Sequence, residues 1–342
     1  MENISVNLNN RQSHIYVGEC LQNLNKYIER RNTFIITDKN LDSLYRARFP
    51  ECPVYIIEPG EKSKNLNVVA DICRWLLENG ADRKSFITGI GGGVVCDLAG
   101  FVASIYMRGI KFGFVATSLL AQVDAGIGGK NGVNLDGYKN IIGTFTQPEF
   151  VICDVDLLIS LPDNEYVNGM AEVIKHSLIK DYDQFVHLEK SSIQILAKER
   201  NEMEFLVNRS ARIKSEIVEM DELEQGERRK LNLGHTLGHA VEKVTGMPHG
   251  ESVSVGLAFA AKLSVEKGLL KEQERTRILN LLQAYDLPVE INADPGAVFD
   301  ALIMDKKKEA GSVHFILMKG IGDVIVEQID IDELKNFTLN GN

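Results

Sequence analysis

No charge-free apolar run in the 342-residue chain approaches the roughly 18 residues that span a bilayer, so no membrane helix is expected. Met1-Glu2-Asn3-Ile4-Ser5 lacks a basic stretch followed by an apolar one, so no secretory signal is expected either. Positive charge is in deficit. Against 48 Asp and Glu there are 38 Lys and Arg, a formal net charge of −10. Indiscriminate binding to nucleic acid or an anionic membrane is thereby disfavoured. Cysteine is scarce: Cys20, Cys52, Cys73, Cys96 and Cys153 are odd in number, widely spaced and without a Cys-x-x-Cys. They read as free thiols in a reducing cytoplasm, packed mostly as small hydrophobes. Internal repeats and low-complexity linkers are missing as well.

What is present is an ordinary folded composition, 44% hydrophobic and 25% charged, long enough for two domains without disulfide staples. Residues 1–155 alternate short β-branched runs with amphipathic stretches. Strands are expected at 33–37, 54–57, 86–90 and 111–116, and helices near 39–48, 66–77 and 94–106. That alternation points to a parallel sheet with helices packed on it. Residues 156–342 carry long helical patterns at 164–180, 199–223, 230–245, 251–267 and 271–284, then a small hairpin pairing 314–318 with 324–327. A direct junction between the two parts suggests a cleft, a common place for a ligand.

Three segments carry chemistry. Gly89-Ile90-Gly91-Gly92-Gly93-Val94-Val95-Cys96-Asp97 follows a strand and opens a helix. Glycines there let backbone approach a phosphate, and a helix N-terminus favours a pyrophosphate. A tight strand-to-helix turn without ligand is the alternative reading, and Cys96 departs from the usual G-x-G-x-x-G. The second segment runs from Asp124 through Gly126, Gly128, Gly129 and Lys130 to Gly137-Tyr138-Lys139-Asn140. It is either a phosphate-holding stretch with lysines as point charges or a solvated loop. The third, Gly234-His235-Thr236-Leu237-Gly238-His239, puts two histidines one helical turn apart, with His249 close behind. Two or three imidazoles plus a carboxylate suit a metal site with an open position, and the motif is not H-E-x-x-H. Spacing alone does not choose the carboxylate; Glu172 stands on a helix with small neighbours.

In order along nearly the whole chain, GGGVVCDLAGF (91–101), QVDAGIGGKNGVN (122–134), GYKNIIGTF (137–145), NGMAEVIKH (168–176), ERRKLNLGHTLGHAVE (227–242) and HGESVSVG (249–256) resemble the 3-dehydroquinate synthase family. The resemblance implies an N-terminal Rossmann-like parallel-sheet α/β domain (1–155) that binds NAD. It also implies a mainly α-helical C-terminal domain (156–342) that binds metal and substrate. It implies conversion of 3-deoxy-D-arabino-heptulosonate 7-phosphate to 3-dehydroquinate and phosphate, with NAD and a divalent metal, zinc or cobalt. The course would be transient oxidation, phosphate elimination, reduction, ring opening and aldol closure, placing the protein in the shikimate pathway.

The resemblance also implies roles. Glu172, His235 and His249 match metal ligands, whereas His239 matches a proton-transfer or hydrogen-bonding group near substrate. Asp124 matches a carboxylate beside the reacting hydroxyl. Lys130, Asn140, Lys175, Lys214, Glu224, Arg228, Asn232 and Lys306 (or Lys307) match polar groups around the substrate. Arg108 matches an arginine that reaches the neighbouring subunit, implying a homodimer. For NAD the matches are Asp38, Asn40, Glu61, Lys64, Gly92, Gly93, Val94, Asp97, Thr117, Ser118, Leu120, Lys130, Lys139, Leu157, Ser160, Leu161 and Glu165. Cys96, Ser118 and Ala125-Gly126-Ile127 depart from the family pattern without removing a necessary group. Other sugar phosphate cyclases, acting on 2-deoxy-scyllo-inosose precursors or sedoheptulose 7-phosphate, are the nearest alternative, and a metal-dependent polyol dehydrogenase a more distant one. Retention of Lys214, Arg228, Asn232 and His239 favours a substrate that carries a carboxylate.

Overall fold

The computed structural model describes residues 1–8, 11–306 and 312–340. The chain opens with β1 (Glu2–Leu8) and β2 (Arg11–Val17), then β3 (Thr33–Asp38), α1 (Lys39–Tyr45), β4 (Val54–Ile57), α2 (Leu66–Glu78), β5 (Phe86–Gly91) and α3 (Gly93–Ile105). β6 (Lys111–Ala116), β7 (Lys130–Leu135), β8 (Tyr138–Phe145) and β9 (Phe150–Cys153) follow. Among the described residues the main sheet has the order β1-β2-β9-β6-β5-β3-β4. Only the β1–β2 pair is antiparallel; every other neighbouring pair is parallel.

The burial patterns explain the pairing. β3 is buried at every position, as a central parallel strand covered on both faces must be. β1 alternates, with Ile4, Val6 and Leu8 buried and the residues between them exposed, as an edge strand with one wet face does. Leu21, Ile35, Ile90, Val115, Phe150, Ile152 and Leu157 form one core cluster of the sheet. Helix starts are capped by side chains. Asp38 accepts from Asn40 and Leu41 N–H groups, and Asn65 from those of Asn67 and Val68.

Beyond the sheet come α4 (Asp163–Lys180), α5 (Tyr182–Lys190), α6 (Ser192–Leu196), α7 (Arg200–Met220), α8 (His235–Thr245), α9 (His249–Glu266), α10 (Glu272–Ala284) and α11 (Pro295–Lys306). The antiparallel β10 (Ser312–Gly320) and β11 (Asp323–Asp330) and helix α12 (Ile331–Asn340) complete the chain.

Two compact units result: Met1–Pro162 with Arg200–Leu223, and Asp163–Glu199 with Glu224–Asn342. They do not follow the single cut after residue 155 that the sequence suggested, because α7 packs against β1, β2 and the 121–125 turn of the first unit. The stretch expected as one helix over 230–245 is divided. A 3-10 turn, Glu227–Asn232, ends before left-handed Gly234 (φ 78°), where α8 starts. The segment read as a phosphate-holding stretch or a solvated loop at 124–140 is regular structure, a π-helical turn (Ala121–Ala125) leading into the β7–β8 hairpin. No helix among the described residues is long and apolar enough to cross a membrane.

Candidate metal centre and nucleotide turn

In the second unit, two close helix approaches assemble a cluster. At Gly250, in the first turn of α9, a Cβ would stand 2.0 Å from the Asn168 carbonyl oxygen of α4. The Gly250 N–H donates to the Asn168 side-chain oxygen at the same contact. Glu172 lies one turn beyond Asn168, and His249 directly precedes Gly250, so carboxylate and imidazole are set side by side. Further along α9, a Cβ on Gly256 would lie 1.8 Å from the Gly234 carbonyl oxygen. That approach draws in His235, the next residue.

The result is convergent. His235 Nε2 and His249 Nε2 each stand 3.6 Å from Glu172 Oε1. The other Glu172 oxygen pairs with the Lys175 ammonium, and both side chains are almost wholly buried. Each imidazole is also held from behind. His235 Nδ1 meets the Leu233 carbonyl oxygen at 3.2 Å, and His249 Nδ1 meets Glu242 Oε2 at 3.3 Å. A ring whose Nδ1–H donates in this way presents Nε2 to a metal, which takes the place of any proton there. Two Nε2 atoms and one carboxylate oxygen, within 4.8 Å of one another, make a donor set that fits zinc or cobalt and leaves coordination positions for substrate.

Electrostatics separate the two rings. Burial, with the Lys175 charge beside it, holds His235 well below the usual histidine value. Burial also works against charge on His249, but hydrogen bonds to Glu172 and Glu242 outweigh it and raise that ring to about 9. His239 is exposed and outside the converging set; it groups instead with Glu242 and His249. Helical spacing alone pairs His235 with His239, whereas the structure pairs His235 with His249.

Elsewhere in the second unit Arg228 is buried in the 3-10 turn, and Asn232 Nδ2 donates to Glu224 Oε1 at 2.5 Å. Glu165 is exposed in the first turn of α4. The Lys306 side chain, with Lys307 and Lys308, lies outside the described residues.

The first unit holds the nucleotide candidates. The chain runs from β3 outward to β4, then returns to β5 on the other side of β3. Strand order therefore reverses between β3 and β5, where open parallel sheets bind ligands beyond their carboxyl ends. Asp38 ends β3 at this point, and Gly91, Gly92 and Gly93 lead from β5 into α3. A Cβ on Gly92 would come within 3.2 Å of Ser118 Oγ, and the Gly91 carbonyl oxygen accepts from the Thr117 N–H. Cys96 is fully buried under this turn, its Sγ 3.7 Å from the Gly91 carbonyl oxygen, so a small side chain is accommodated there.

Lys64 and Asp97 form a buried ion pair at 2.5 Å. Burial pushes the Asp97 carboxyl up, and the Lys64 ammonium pulls it back. The Lys64 carbonyl oxygen accepts from the Asn134 N–H, Asn134 Nδ2 donates to Glu61, and Asn134 Oδ1 accepts from the Asn140 N–H. These bonds tie the hairpin tip, with exposed Lys139 and Asn140, to the Glu61–Lys64 segment. Exposed Lys130 stands at the start of β7. Asn40 and Val94 open their helices, and Leu120 and Leu161 are half-buried. Ser160 accepts from the Tyr45 hydroxyl, while the Leu157 side chain belongs to the core. Asp124 sits in the π-turn, where the Lys214 ammonium reaches it from α7. Arg108 is exposed on a turn of three left-handed residues, Met107 (φ 48°), Arg108 (φ 73°) and Gly109 (φ 111°).

The fold is that of the sugar phosphate cyclases. A 2-deoxy-scyllo-inosose synthase, solved with carbaglucose-6-phosphate, NAD+ and Co2+, superposes with a TM-score of 0.87 at 26% identity, covering 99% of this chain and 100% of that one. A 2-epi-5-epi-valiolone synthase from Streptomyces hygroscopicus subsp. jinggangensis 5008, solved with NAD+ and Zn2+, also gives 0.87 at 26% identity, covering 100% and 98%. The 3-dehydroquinate synthase of Coxiella burnetii (strain RSA 331 / Henzerling II) is 40% identical, with 99% of each chain covered. The family models for the N-terminal and C-terminal parts of 3-dehydroquinate synthase match residues 54–168 and 169–308. The chain belongs to the 3-dehydroquinate synthase family.

Sequence reading did not single out Asn168, the Leu233 carbonyl or Glu242. Glu242 did carry a signal, since it lies two helical turns after His235 and hence on the same face.

Proposed function

We propose that this chain is the catalyst converting 3-deoxy-D-arabino-heptulosonate 7-phosphate to 3-dehydroquinate and phosphate, with NAD and zinc or cobalt as cofactors. The observation that carries the proposal is the convergence of Glu172, His235 and His249 in a chain about 40% identical over its full length to a 3-dehydroquinate synthase. Glu172, His235 and His249 would hold the metal. Gly92, Gly93, Val94 and the Lys64–Asp97 pair, with Asp38, Asn40, Glu61, Thr117, Ser118, Leu120, Lys139, Leu157, Ser160, Leu161 and Glu165, would hold NAD. When bound, NAD supplies a hydride acceptor that is restored within each turnover, and the metal supplies a Lewis acid for the hydroxyl being oxidised.

The chain's own residues do the remaining work. The Lys214 ammonium holds the Asp124 carboxylate in place, and that carboxylate would accept the substrate hydroxyl proton. Lys130, Asn140, Lys175, Arg228, Asn232 and His239 would bind the anionic groups, with Lys306 or Lys307 as a further cation. The Glu224–Asn232 hydrogen bond orients the Asn232 amide. Such charge-assisted bonds give an acidic protein a local grip on a phosphate and a carboxylate. We assign Arg108 to the phosphate pocket of a second copy, in a cytoplasmic homodimer. Its support is an exposed guanidinium on a backbone that costs about 1–2 kcal/mol for each non-glycine left-handed residue.

The test is phosphate release by the purified protein, with and without a chelator, on the heptulosonate phosphate, glucose 6-phosphate and sedoheptulose 7-phosphate. Chelator-sensitive release from the first, without accumulation of NADH, is expected. Release only from a sugar phosphate lacking the carboxylate assigns the chain to another cyclase. Net NADH formation assigns it to a dehydrogenase.

A further inference from the structure

The two imidazoles of the cluster are held in different ways. His235 Nδ1 faces a backbone carbonyl, that of Leu233, whose position is fixed by the turn before α8. His249 Nδ1 faces a side chain, Glu242 Oε2 at 3.3 Å. Glu242 is largely buried, with 11% of its side chain exposed, and it follows His235 by two turns on one face of α8. His249 is the first residue of α9, reached through left-handed Gly246 and Pro248. A residue that opens a helix has no preceding turn to hold its side chain. Without an outside partner the His249 ring could rotate about its χ angles and present either nitrogen.

We infer that Glu242 is the positioning residue of the metal centre. It accepts the Nδ1 hydrogen of His249, fixes the tautomer whose lone pair is on Nε2, and aims that atom at the point shared with Glu172 and His235. A carboxylate in this place also makes the imidazole a stronger donor than the Leu233 carbonyl makes His235. Glu242 is not itself a ligand in this assignment. Its oxygen meets the ring nitrogen that faces away from Glu172, and the converging set of Glu172, His235 and His249 is complete without it.

The inference rests on the metal reading above, and the experiment separates the two. Wild type, Glu242→Gln and Glu242→Ala are stripped of metal, and three properties are measured. These are the thermal midpoint of the metal-free protein, Co2+ affinity by competition with a fluorescent chelator, and the visible absorption spectrum of the Co2+ form. A glutamine oxygen can still accept the Nδ1 hydrogen, whereas alanine cannot. The expected result is an affinity lowered by about 10- to 100-fold in Glu242→Ala and by less in Glu242→Gln. Metal-free midpoints should fall by no more than the loss of one hydrogen bond implies, and the Glu242→Gln spectrum should match wild type. Equal Co2+ affinity in all three proteins overturns the inference. So does a metal-free midpoint that falls in step with affinity, which marks a merely structural residue. A Glu242→Gln spectrum that has lost a ligand also overturns it, because Glu242 would then bind the metal directly. If Glu242→Ala does not fold, the glutamine variant alone decides, through its affinity and its spectrum. Wild-type protein that fails to bind Co2+ defeats the metal reading itself.

Discussion

Lys214 reaches Asp124 twice. Its ammonium donates to a carboxylate oxygen at 2.5 Å and to the backbone carbonyl of the same residue at 2.7 Å. The pair is one of the contacts by which α7 packs on the first unit, beside those with β1 and β2, and it places a lysine of that helix on the π-turn holding Asp124. Wide π-turns are frequent at functional positions because the extra residue re-aims a side chain.

Replacing Lys214 by Met tests this pairing. It removes the Lys214 ammonium from a largely buried carboxylate and from the backbone carbonyl of the same residue. A loss of about 2 kcal/mol in urea unfolding is expected, the scale of a hydrogen bond to a charged group. Phosphate release should fall by about 10²- to 10⁴-fold, the scale of a lost general base. Full activity in Lys214→Met would remove Asp124 from that role.

His249→Ala removes one converging nitrogen and leaves α9 intact. Metal content measured after dialysis should drop from about one ion per chain to a small fraction of that, because two donors hold a divalent ion poorly. Phosphate release should vanish with it, while far-ultraviolet circular dichroism stays as in wild type. Full metal occupancy and wild-type turnover in this variant would eliminate the centre.

The parallel strands were legible in the sequence, and the reason is burial. Thr33–Asp38 and Phe86–Gly91 are covered on both faces and therefore read as β-branched or apolar runs. β1 and β2 escaped because Asn3, Asn7 and Arg11 dilute a half-exposed alternation. The β7–β8 hairpin escaped because glycine stands where strands come together. A Cβ on Gly132 or Gly143 would lie 2.8 or 2.6 Å from the opposite backbone. Its turn, Asp136-Gly137 with φ of 48° and 83°, is nonetheless a strong hairpin signal. At the metal centre the histidines were visible as a cluster, but Glu172 stands far from them in sequence. The packing of α4 on α9, very close at Asn168–Gly250, brings it in, and no spacing rule reports a contact between helices.

Asp38 provides a test by pH. Burial pushes its carboxyl above the ordinary aspartate value, against the pull of the Leu41 and Asn40 N–H groups. The folded state therefore favours the protonated acid. The stability this adds is fully present below the unfolded value near 4 and is lost as pH rises through the folded value. Asparagine keeps the cap without titrating. In protein free of metal and nucleotide, the stability of Asp38→Asn relative to wild type should increase between about pH 4 and pH 7. Parallel stability curves for the two proteins would mean that Asp38 titrates in the fold as it does in the unfolded chain.

Arg108 offers the sharpest test of assembly. It precedes β6 and lines a cavity of about 940 Å³ with Arg11, Arg83, Lys84 and Lys111, which stand near the amino ends of β5 and β6 or at the start of β2. The glycine turn lies at the carboxyl end of β5, about 20 Å away for a six-residue strand. An arginine side chain does not cover that distance, so Arg108 cannot serve the nucleotide turn of its own chain. If it serves a second copy, Arg108→Ala and Lys130→Ala proteins, each inactive alone, should complement on mixing. In a two-fold hybrid one site keeps both wild-type residues and the other loses both. Random exchange should then restore about a quarter of wild-type activity. If Arg108 acts within its own chain, every site in the hybrid lacks one residue and nothing is restored. Inactive mixtures, with hybrid dimers demonstrated by differently tagged subunits, would place Arg108 outside any shared pocket.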